Sequence, residues 1–209
     1  MKTRYLAAAF AAFSLALFLT GCSNNSSSQT ESSGSPAPAV TAESSSEAPK
    51  QNNAAVKPAE IGSDLTVGIL PVTAHAGDKA VPVPVQIWNN PGFAAGGIQL
   101  YYDSKLMPVT IESNNEFTDA PGGKCDLGNA AEDFLKSCLV GTENHVIAFG
   151  CMGSVNSTED GTIFTVYFDI PENAPAGQSF SLTCVIDSLN DVEKNKLNPK
   201  TLDGCITIE

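Results

Sequence analysis

The chain has 209 residues, of which 23 are acidic, 11 are basic and 42 % are hydrophobic, with a formal net charge of −12. Nucleic-acid binding needs cations that neutralise phosphate, usually arginines, and Arg4 is the only arginine in the sequence. The charge therefore argues against a nucleic-acid partner. Two histidines leave little room for a zinc enzyme. The length and apolar content allow one domain of about 100–200 residues with a hydrophobic core.

The amino terminus has the features of a bacterial export signal. A basic start is followed by an almost entirely apolar run over residues 5–19, a pattern typical of secretory signals and too short for a membrane-spanning helix. The run ends in LTGC at 19–22, which resembles the lipobox of bacterial lipoproteins. The resemblance implies that residues 1–21 are a lipoprotein signal peptide and that Cys22 carries a diacylglycerol after cleavage. The alternative is a secreted protein in which Cys22 is an ordinary thiol.

Residues 22–62 form a segment of low sequence complexity. Ser, Asn, Ala, Pro, Glu and Gln dominate it, and aromatic residues are absent. Such a segment buries too little apolar surface to offset the entropy of ordering it. We therefore expect a disordered linker between the lipidated cysteine and a folded domain over 63–209. About 40 residues of flexible chain have a typical reach of about 35 Å, enough to carry the domain clear of lipid headgroups.

The remainder of the chain consists of short runs in which apolar and polar residues alternate, separated by Gly, Pro, Asn and Asp. A period of two is the signature of half-buried β-strands. Many such strands without a long helical period indicate an all-β, two-sheet sandwich. Nine strands are predicted, near 64–73, 81–88, 96–103, 107–113, 137–143, 145–152, 162–170, 179–187 and 204–209.

Two local features refine this prediction. Pro82 and Pro84 remove backbone donors on one side of the second predicted strand, so this strand must border an edge there or meet its neighbour through a bulge. One short helix is predicted over 130–136, because Asn129 is a good N-cap and Glu132 follows three residues later in a capping-box pattern.

Several stretches, in this order and spacing, carry a resemblance to a known family. They are AGDK at 76–79 before the strand at 81–88, GIQLYYD at 97–103 with LMPV at 106–109, DGTIFTV at 160–166, APAG at 174–177 before FSL at 180–182, and GCITI at 204–208. Together they resemble a cohesin domain, the cellulosome module that receives a dockerin, over about 64–209. The resemblance implies a nine-stranded jelly roll whose strands eight, three, six and five dock the dockerin. The calcium expected in such a complex belongs to the dockerin, so this chain needs no cofactor or metal.

The resemblance places the candidate partner-binding residues on the outward face of three predicted strands. On the sixth strand, Ile147, Phe149 and Cys151 are the bulkier set, so we assign them to the core and the alternate residues to the outside. One tyrosine on a small, mixed face suits an interface, where an aromatic anchor is ringed by weaker contacts. The alternative is that these are ordinary solvent-facing residues. The predicted face consists of Gly97, Gln99, Tyr101, Val146, Ala148, Gly150, Met152, Ser181, Thr183 and Val185.

Two features depart from the family pattern: an insertion over 114–136 and five cysteines in the domain. Cys151 and Cys184 are in phase with apolar residues, which predicts small buried side chains. Cys125 and Cys138 flank the predicted helix and are the leading disulfide candidates. Five cysteines, Cys205 included, leave at least one unpaired, and no CxxC pattern indicates a zinc site.

No catalytic set is predicted, because His145 lies near Glu143 but no Ser or Cys stands on a recognisable nucleophile elbow. The competing function is carbohydrate binding, since jelly rolls also serve as glycan-binding modules and fold alone does not decide function. Trp88 and Tyr167 are predicted to point outward on neighbouring strands, where they offer an aromatic pair for weak glycan contact. A simple cross-strand surface pair is the alternative.

The sequence therefore predicts a non-enzymatic cohesin on the outer face of a bacterial membrane, anchored by its lipid alone. It binds a dockerin and so displays a polysaccharide-degrading enzyme or scaffoldin at the cell surface. Without residues 1–21 the chain keeps 9 basic and 23 acidic groups, a net charge of −14, which favours a dockerin with lysines or arginines. A purely structural envelope lipoprotein is a third possibility that no specific feature supports.

Overall fold

A computed structural model describes residues 61–112 and 121–209. The predicted signal peptide, Cys22 and nearly all of the predicted linker lie outside the described residues. Within them, no helix has the length and hydropathy needed to cross a membrane. The elements are β1 (Thr66–Ile69), β2 (Val72–Ala74), β3 (Val81–Trp88), β4 (Phe93–Tyr102), β5 (Met107–Pro108), β6 (Thr110–Ile111), β7 (Gly122–Gly123), β8 (Cys125–Leu127), the 3₁₀ turn η1 (Asn129–Ala131), β9 (Leu135–Gly141), β10 (Val146–Ser157), β11 (Gly161–Asp169), β12 (Ser179–Asn190), β13 (Lys200–Leu202) and β14 (Gly204–Ile208).

The strands form two sheets that enclose one core, which confirms the predicted all-β sandwich. The first sheet has the order β13-β1-β3-β11-β5, with β8 also paired to β11. The second has the order β2-β14-β12-β4-β10-β9-β7-β6. Two predicted strands are each divided, 64–73 into β1 and β2 and 107–113 into β5 and β6, while β7, β8 and β13 were not predicted.

The core follows directly from the alternation in the sequence. Along β12, exposed and buried residues alternate from Ser179 to Val185, so every second side chain enters the sandwich. The rings of Phe149 on β10 and Phe164 on β11 stack across the two sheets with centroids 3.8 Å apart. Burying a large apolar side chain of this kind contributes about 1.5–3 kcal/mol to folding, and both sheets supply such side chains.

The two prolines of β3 lie where that strand has a free side. Antiparallel pairing with β1 ends at Ile69 opposite Val85, whereas β11 pairs along β3 as far as Val81. Pro82 and Pro84 therefore lie beyond the last residue of β1. The predicted local edge is confirmed, and the missing proline donors cost no ladder hydrogen bonds.

The predicted helix over 130–136 is wrong beyond its first turn. Only η1 is helical, and Leu135 already begins β9. The Asn129 side chain does not cap a helix: its oxygen accepts from the backbone N–H of Thr162 at 3.0 Å, and its amide donates to the Asp160 carbonyl at 3.0 Å. Phe134 instead packs against Phe93, with ring centroids 5.2 Å apart. Long-range contacts therefore outweigh the local capping signal.

The prediction that Trp88 points outward to solvent is also wrong. Its side chain is 0 % exposed, although it belongs to the side of β3 that faces away from the main core. The side-chain amide of Asn89 donates to the carbonyls of Gly62 and Asp64 at 3.0 and 2.7 Å. These bonds hold the incoming chain at this end of the first sheet, where Ile61 is itself buried. Alternation alone does not reveal a second layer outside a sheet.

The five cysteines of the described residues are free thiols. Cys151 and Cys184 are buried as predicted, at 7 % and 2 % exposure. Burial raises the pKa of Cys151 to about 11 and that of Cys184 to about 12, because an apolar environment disfavours the thiolate. Cys125 and Cys138, the predicted disulfide partners, are both reduced here.

Candidate protein-docking face

Strands β12, β4, β10 and β9 form a continuous surface on the outside of the second sheet, which we call the docking face. Register places Thr183, Tyr101 and Val146 side by side in one row, and Val185, Gln99 and Ala148 in the next. Because opposite residues of antiparallel strands share a face, each row runs straight across the sheet.

All ten predicted partner-binding residues belong to this face. Tyr101, Val185 and Met152 are 41 %, 38 % and 60 % exposed. The inward assignment of Ile147, Phe149 and Cys151 is confirmed, with exposures of 2 %, 3 % and 7 %. Remaining members of the face are exposed or half-buried, namely Gly97, Gln99, Val146, Ala148, Gly150, Ser181 and Thr183. Their role in binding stays a prediction.

A chain of side-chain hydrogen bonds crosses the middle of the docking face. The Tyr101 hydroxyl donates to Gln99 Oε1 at 2.6 Å, and Gln99 Nε2 donates to Asp187 Oδ2 at 2.7 Å. The two bonds fix the orientation of the Gln99 amide, since its oxygen accepts and its nitrogen donates. The polar centre of the face is therefore ordered before a partner arrives.

Asp187 owes its position to a β-bulge that Gly97 permits. Register between β12 and β4 shifts between Ile186 and Ser188, so Asp187 is the extra residue of the bulge. A Cβ atom at Gly97 would lie only 3.1 Å from Ser188 Oγ and 3.7 Å from Asp187 Cβ. Glycine therefore leaves the room that brings the carboxylate over Gln99.

The docking face carries very little charge. Among the outward positions of β4, β9, β10 and β12, Asp187 is the single charged side chain in the part of the chain that the structure describes. Lys136 on β9 lies opposite buried Cys151 and so belongs to the inward set. The other acidic residues of the described domain therefore lie outside these four strands.

One end of the docking face is apolar. Leu135 on β9 is 74 % exposed, and Met152 on β10 is 60 % exposed and lies opposite it. With Asp133, Gly153 and Ser154, Leu135 and Met152 line a shallow depression of about 390 Å³. The docking face carries four of the large exposed hydrophobic side chains in 61–112 and 121–209, namely Tyr101, Leu135, Met152 and Val185.

Two functional candidates on this face are missing from the sequence prediction. Asp187 was identifiable, because it continues the outward alternation of Ser181, Thr183 and Val185. Leu135 was not, because the predicted helix over 130–136 assigned it to a different element. The face extends one strand further than the predicted residue set.

Residues 65–208 match the sequence model of the cohesin domain. The chain belongs to the cohesin family. No curated protein sequence is significantly similar to it.

Solved cohesin structures share the fold at low sequence identity. A cohesin of OlpA from Clostridium thermocellum, solved in a cohesin–dockerin complex, is 19 % identical, with 70 % of this chain and 99 % of that chain covered and a TM-score of 0.57. A non-cellulosomal cohesin from Archaeoglobus fulgidus is 21 % identical (70 % and 91 % covered, TM-score 0.56). A type III cohesin from the cell-surface anchoring scaffoldin ScaE of Ruminococcus flavefaciens is 19 % identical (70 % and 88 % covered, TM-score 0.56).

The opposite sheet of this cohesin domain does not provide the predicted glycan platform. Trp88 is buried, and Tyr167 pairs with Pro82 rather than lying beside the tryptophan. The ammonium group of Lys124 lies 4.3 Å from the centroid of the Tyr167 ring, and the Tyr167 hydroxyl donates to Asp126 at 2.6 Å. Because the cation occupies one face of the ring, that face is not open for stacking on a sugar.

His145 and Glu143, the pair weighed in the sequence, lie at the turn between β9 and β10. His145 has a positive φ of 50° and forms the turn before β10, with its ring 5.7 Å from that of Tyr102. In residues 61–112 and 121–209, no group of three or more His, Cys, Asp or Glu side chains could hold a metal ion.

Proposed function

We propose that this cohesin domain binds a dockerin through the docking face. The observation that carries the proposal is the concentration of exposed apolar side chains on a nearly uncharged sheet surface whose polar centre, Tyr101–Gln99–Asp187, is already hydrogen-bonded. Exposed apolar surface of this kind marks protein interfaces. Two of the similar cohesins, from OlpA and OlpC, were solved in complex with dockerins, which supports a dockerin as the partner.

Binding of this kind is the capture of a helical module by a rigid surface. The four strands are tied together by antiparallel ladders, interrupted by register shifts between β12 and β4 and near the end of the β10–β4 pairing, so little backbone entropy is lost when the partner docks. An interface of standard size buries about 1,200–2,000 Å² in total. Tyr101 near the centre is the expected energetic anchor, and the smaller residues around it exclude water.

Electrostatics should select the partner and accelerate its arrival. The chain without residues 1–21 has 9 basic and 23 acidic groups, so its field attracts a dockerin that carries lysines or arginines. Gln99 donates its hydrogen bond to one carboxylate oxygen of Asp187, Oδ2. The other oxygen of the same carboxylate can accept a hydrogen bond from the partner. A basic side chain of the partner placed there gains a charge-assisted hydrogen bond.

We also propose that the domain is displayed at the cell surface through a lipid on Cys22. The support is the sequence LTGC at 19–22 directly after an apolar run, and the composition of 22–62, which is that of a flexible linker. In this arrangement the bound dockerin brings a polysaccharide-degrading enzyme or a scaffoldin to the cell surface. The calcium of the complex belongs to the dockerin.

The decisive experiment is a binding screen with purified modules. Residues 22–209 carrying Cys22→Ser are immobilised and exposed to each dockerin encoded in the same genome. We expect at least one dockerin to bind, and chelation of calcium to abolish binding without changing the circular dichroism of the immobilised chain. If the folded chain binds none of them, the proposal is wrong. Binding of soluble polysaccharide alone would point instead to a carbohydrate-binding module.

A further inference from the structure

Two cysteines meet where the chain passes from one sheet to the other. Gly123 on β7 belongs to the second sheet, whereas Cys125 on β8 pairs with Val166 of the first. Cys138 lies on β9 of the second sheet, and its sulfur packs against Gly123 so closely that a Cβ atom there would be 2.8 Å away. The chain crosses between the sheets at Lys124, whose backbone N–H donates to the carbonyl of Val109 in the neighbouring crossover from β5 to β6 at 2.8 Å.

Contacts from β9 converge on Cys125. Lys136, two residues before Cys138 on the same side of β9, donates a hydrogen bond from its ammonium group to the Cys125 carbonyl oxygen. Lys136 and Cys138 lie on the same side of β9, so this contact places Cys125 beside Cys138, and each thiol affects the ionisation of the other. Cys125 is 6 % exposed, and Cys138 is half-buried. A reagent in solution therefore meets Cys138 first.

The environment gives the two thiols different chemical roles. Interaction with the Cys125 thiol lowers the pKa of Cys138; burial opposes this shift, and the Lys136 ammonium supports it. Interaction with Cys138 raises the pKa of Cys125, which keeps its proton, and burial acts in the same direction. A thiolate is the nucleophile in disulfide exchange, so Cys138 is the attacking sulfur and Cys125 the resolving one.

We propose that Cys125 and Cys138 are a redox modification site that closes an inter-sheet disulfide by exchange with a low-molecular-weight disulfide. Cys138 attacks one sulfur of the reagent, forms a mixed disulfide and releases one thiol. Cys125 then loses its proton, attacks the Cys138 sulfur and releases the second thiol. The two cysteines are oxidised by two electrons, and the reagent is reduced to two thiols.

The cross-link would join β8 of the first sheet to β9, which carries Leu135 at the end of the docking face. It closes a loop that contains η1 and restricts the unfolded chain, the main source of disulfide stabilisation. We therefore expect the thermal midpoint to rise by about 5 °C or more on oxidation. The cross-link forms whichever partner the docking face binds.

The test uses residues 22–209 with Cys22→Ser and Cys205→Ser, so that Cys125, Cys138, Cys151 and Cys184 are the four thiols left. Incubation with oxidised glutathione should lower the mass by 2 Da, leave two titratable thiols and give a 125–138 cross-linked peptide. Adding Cys125→Ser should instead trap a glutathione adduct on Cys138. Adding Cys138→Ser should abolish both products.

The outcomes separate the site from general thiol reactivity. Replacing Cys151 with Ala is the matched control and should leave both the 2 Da loss and the rise in midpoint unchanged. If four thiols persist in excess oxidised glutathione while the thermal midpoint stays constant, the proposed site is wrong. It is equally wrong if the cross-link joins any other pair.

Discussion

The hydroxyl of Tyr101 donates a 2.6 Å hydrogen bond to the side-chain oxygen of Gln99, its neighbour on the outward face of β4. The side-chain amide of Gln99 in turn donates a hydrogen bond to the Asp187 carboxylate on β12, with 2.7 Å between Nε2 and Oδ2. The phenol is therefore held in place although 41 % of the residue is exposed. A side chain that is ordered before binding loses less rotamer entropy in a complex, which makes Tyr101 the natural anchor of the face.

Replacing Tyr101 with Ala should weaken dockerin binding by about 2 kcal/mol or more, roughly 30-fold in Kd. The free energy of unfolding should change by about 0.5 kcal/mol or less, because the residue is exposed. Tyr101→Phe keeps the ring and should therefore lose less dockerin affinity than Tyr101→Ala. Isothermal calorimetry with one cognate dockerin gives the affinities, and urea unfolding gives the stabilities.

Tyr167→Ala is the matched control, since it removes a tyrosine from the outward side of the other sheet. It breaks the contacts with Lys124 and Asp126 but should leave dockerin affinity unchanged. If Tyr167→Ala weakens the complex and Tyr101→Ala does not, the partner uses the first sheet and the docking face is misassigned.

Neutralising the one charge of the docking face should make binding less sensitive to salt. Asp187→Asn keeps an oxygen that accepts from Gln99, so the local geometry survives. We expect about 1 kcal/mol weaker binding at low ionic strength and a smaller difference at about 0.5 M salt, where exposed charges are screened. Equal affinities for wild type and Asp187→Asn at both ionic strengths would exclude a basic partner group at this position.

The phase of the strands was predictable from sequence because a buried strand selects one set of alternating residues. On β10, bulk alone separates Ile147, Phe149 and Cys151 from their neighbours, and the structure agrees. The same logic would have included Asp187, whose carboxylate continues the outward series of β12. Local alternation in the sequence therefore predicts most of the residues of the docking face.

Features set by distant contacts were not predictable in the same way. Asn129 has the residue type of a helix cap, but its side chain is hydrogen-bonded to Asp160 and Thr162 at the start of β11, 31 and 33 residues later. Trp88 has the phase of a surface residue, but Asn89 holds the incoming chain against that end of the sheet. In both cases a long-range hydrogen bond overrides the local pattern.

Trp88 is the only tryptophan in the sequence, so its fluorescence reports on its burial directly. With 0 % exposure, we expect short-wavelength emission that acrylamide quenches poorly and that shifts to long wavelength on unfolding. Trp88→Ala should cost about 3–5 kcal/mol of stability, because a large buried ring leaves a cavity. Emission of the folded chain at the wavelength of the urea-unfolded chain would contradict the buried position.

Alkaline titration should reveal the environment of Tyr167. Burial and, next, the hydrogen bond to Asp126 raise the pKa of Tyr167 from 10.0 to about 12. Since the folded-state value is the higher one, this group stabilises the fold fully below pH 10, and its contribution disappears as the pH rises toward 12. Between these values the unfolding free energy should fall less steeply for Tyr167→Phe than for wild type. Identical slopes would show that the phenol is not shifted.

The lipid anchor rests on a single sulfur, so one substitution tests it. Cys22→Ala removes the proposed acceptor of the diacylglycerol, and two acyl chains are what makes membrane anchoring stable. We expect the variant to keep its leader or to leave the lipidated, detergent-partitioning fraction, whereas a Cys205→Ala control behaves as wild type. Mass spectrometry of the mature amino terminus checks the cleavage site. If Cys22→Ala still partitions into detergent with the wild-type mobility and amino terminus, anchoring depends on another group, because no thioether can form at residue 22.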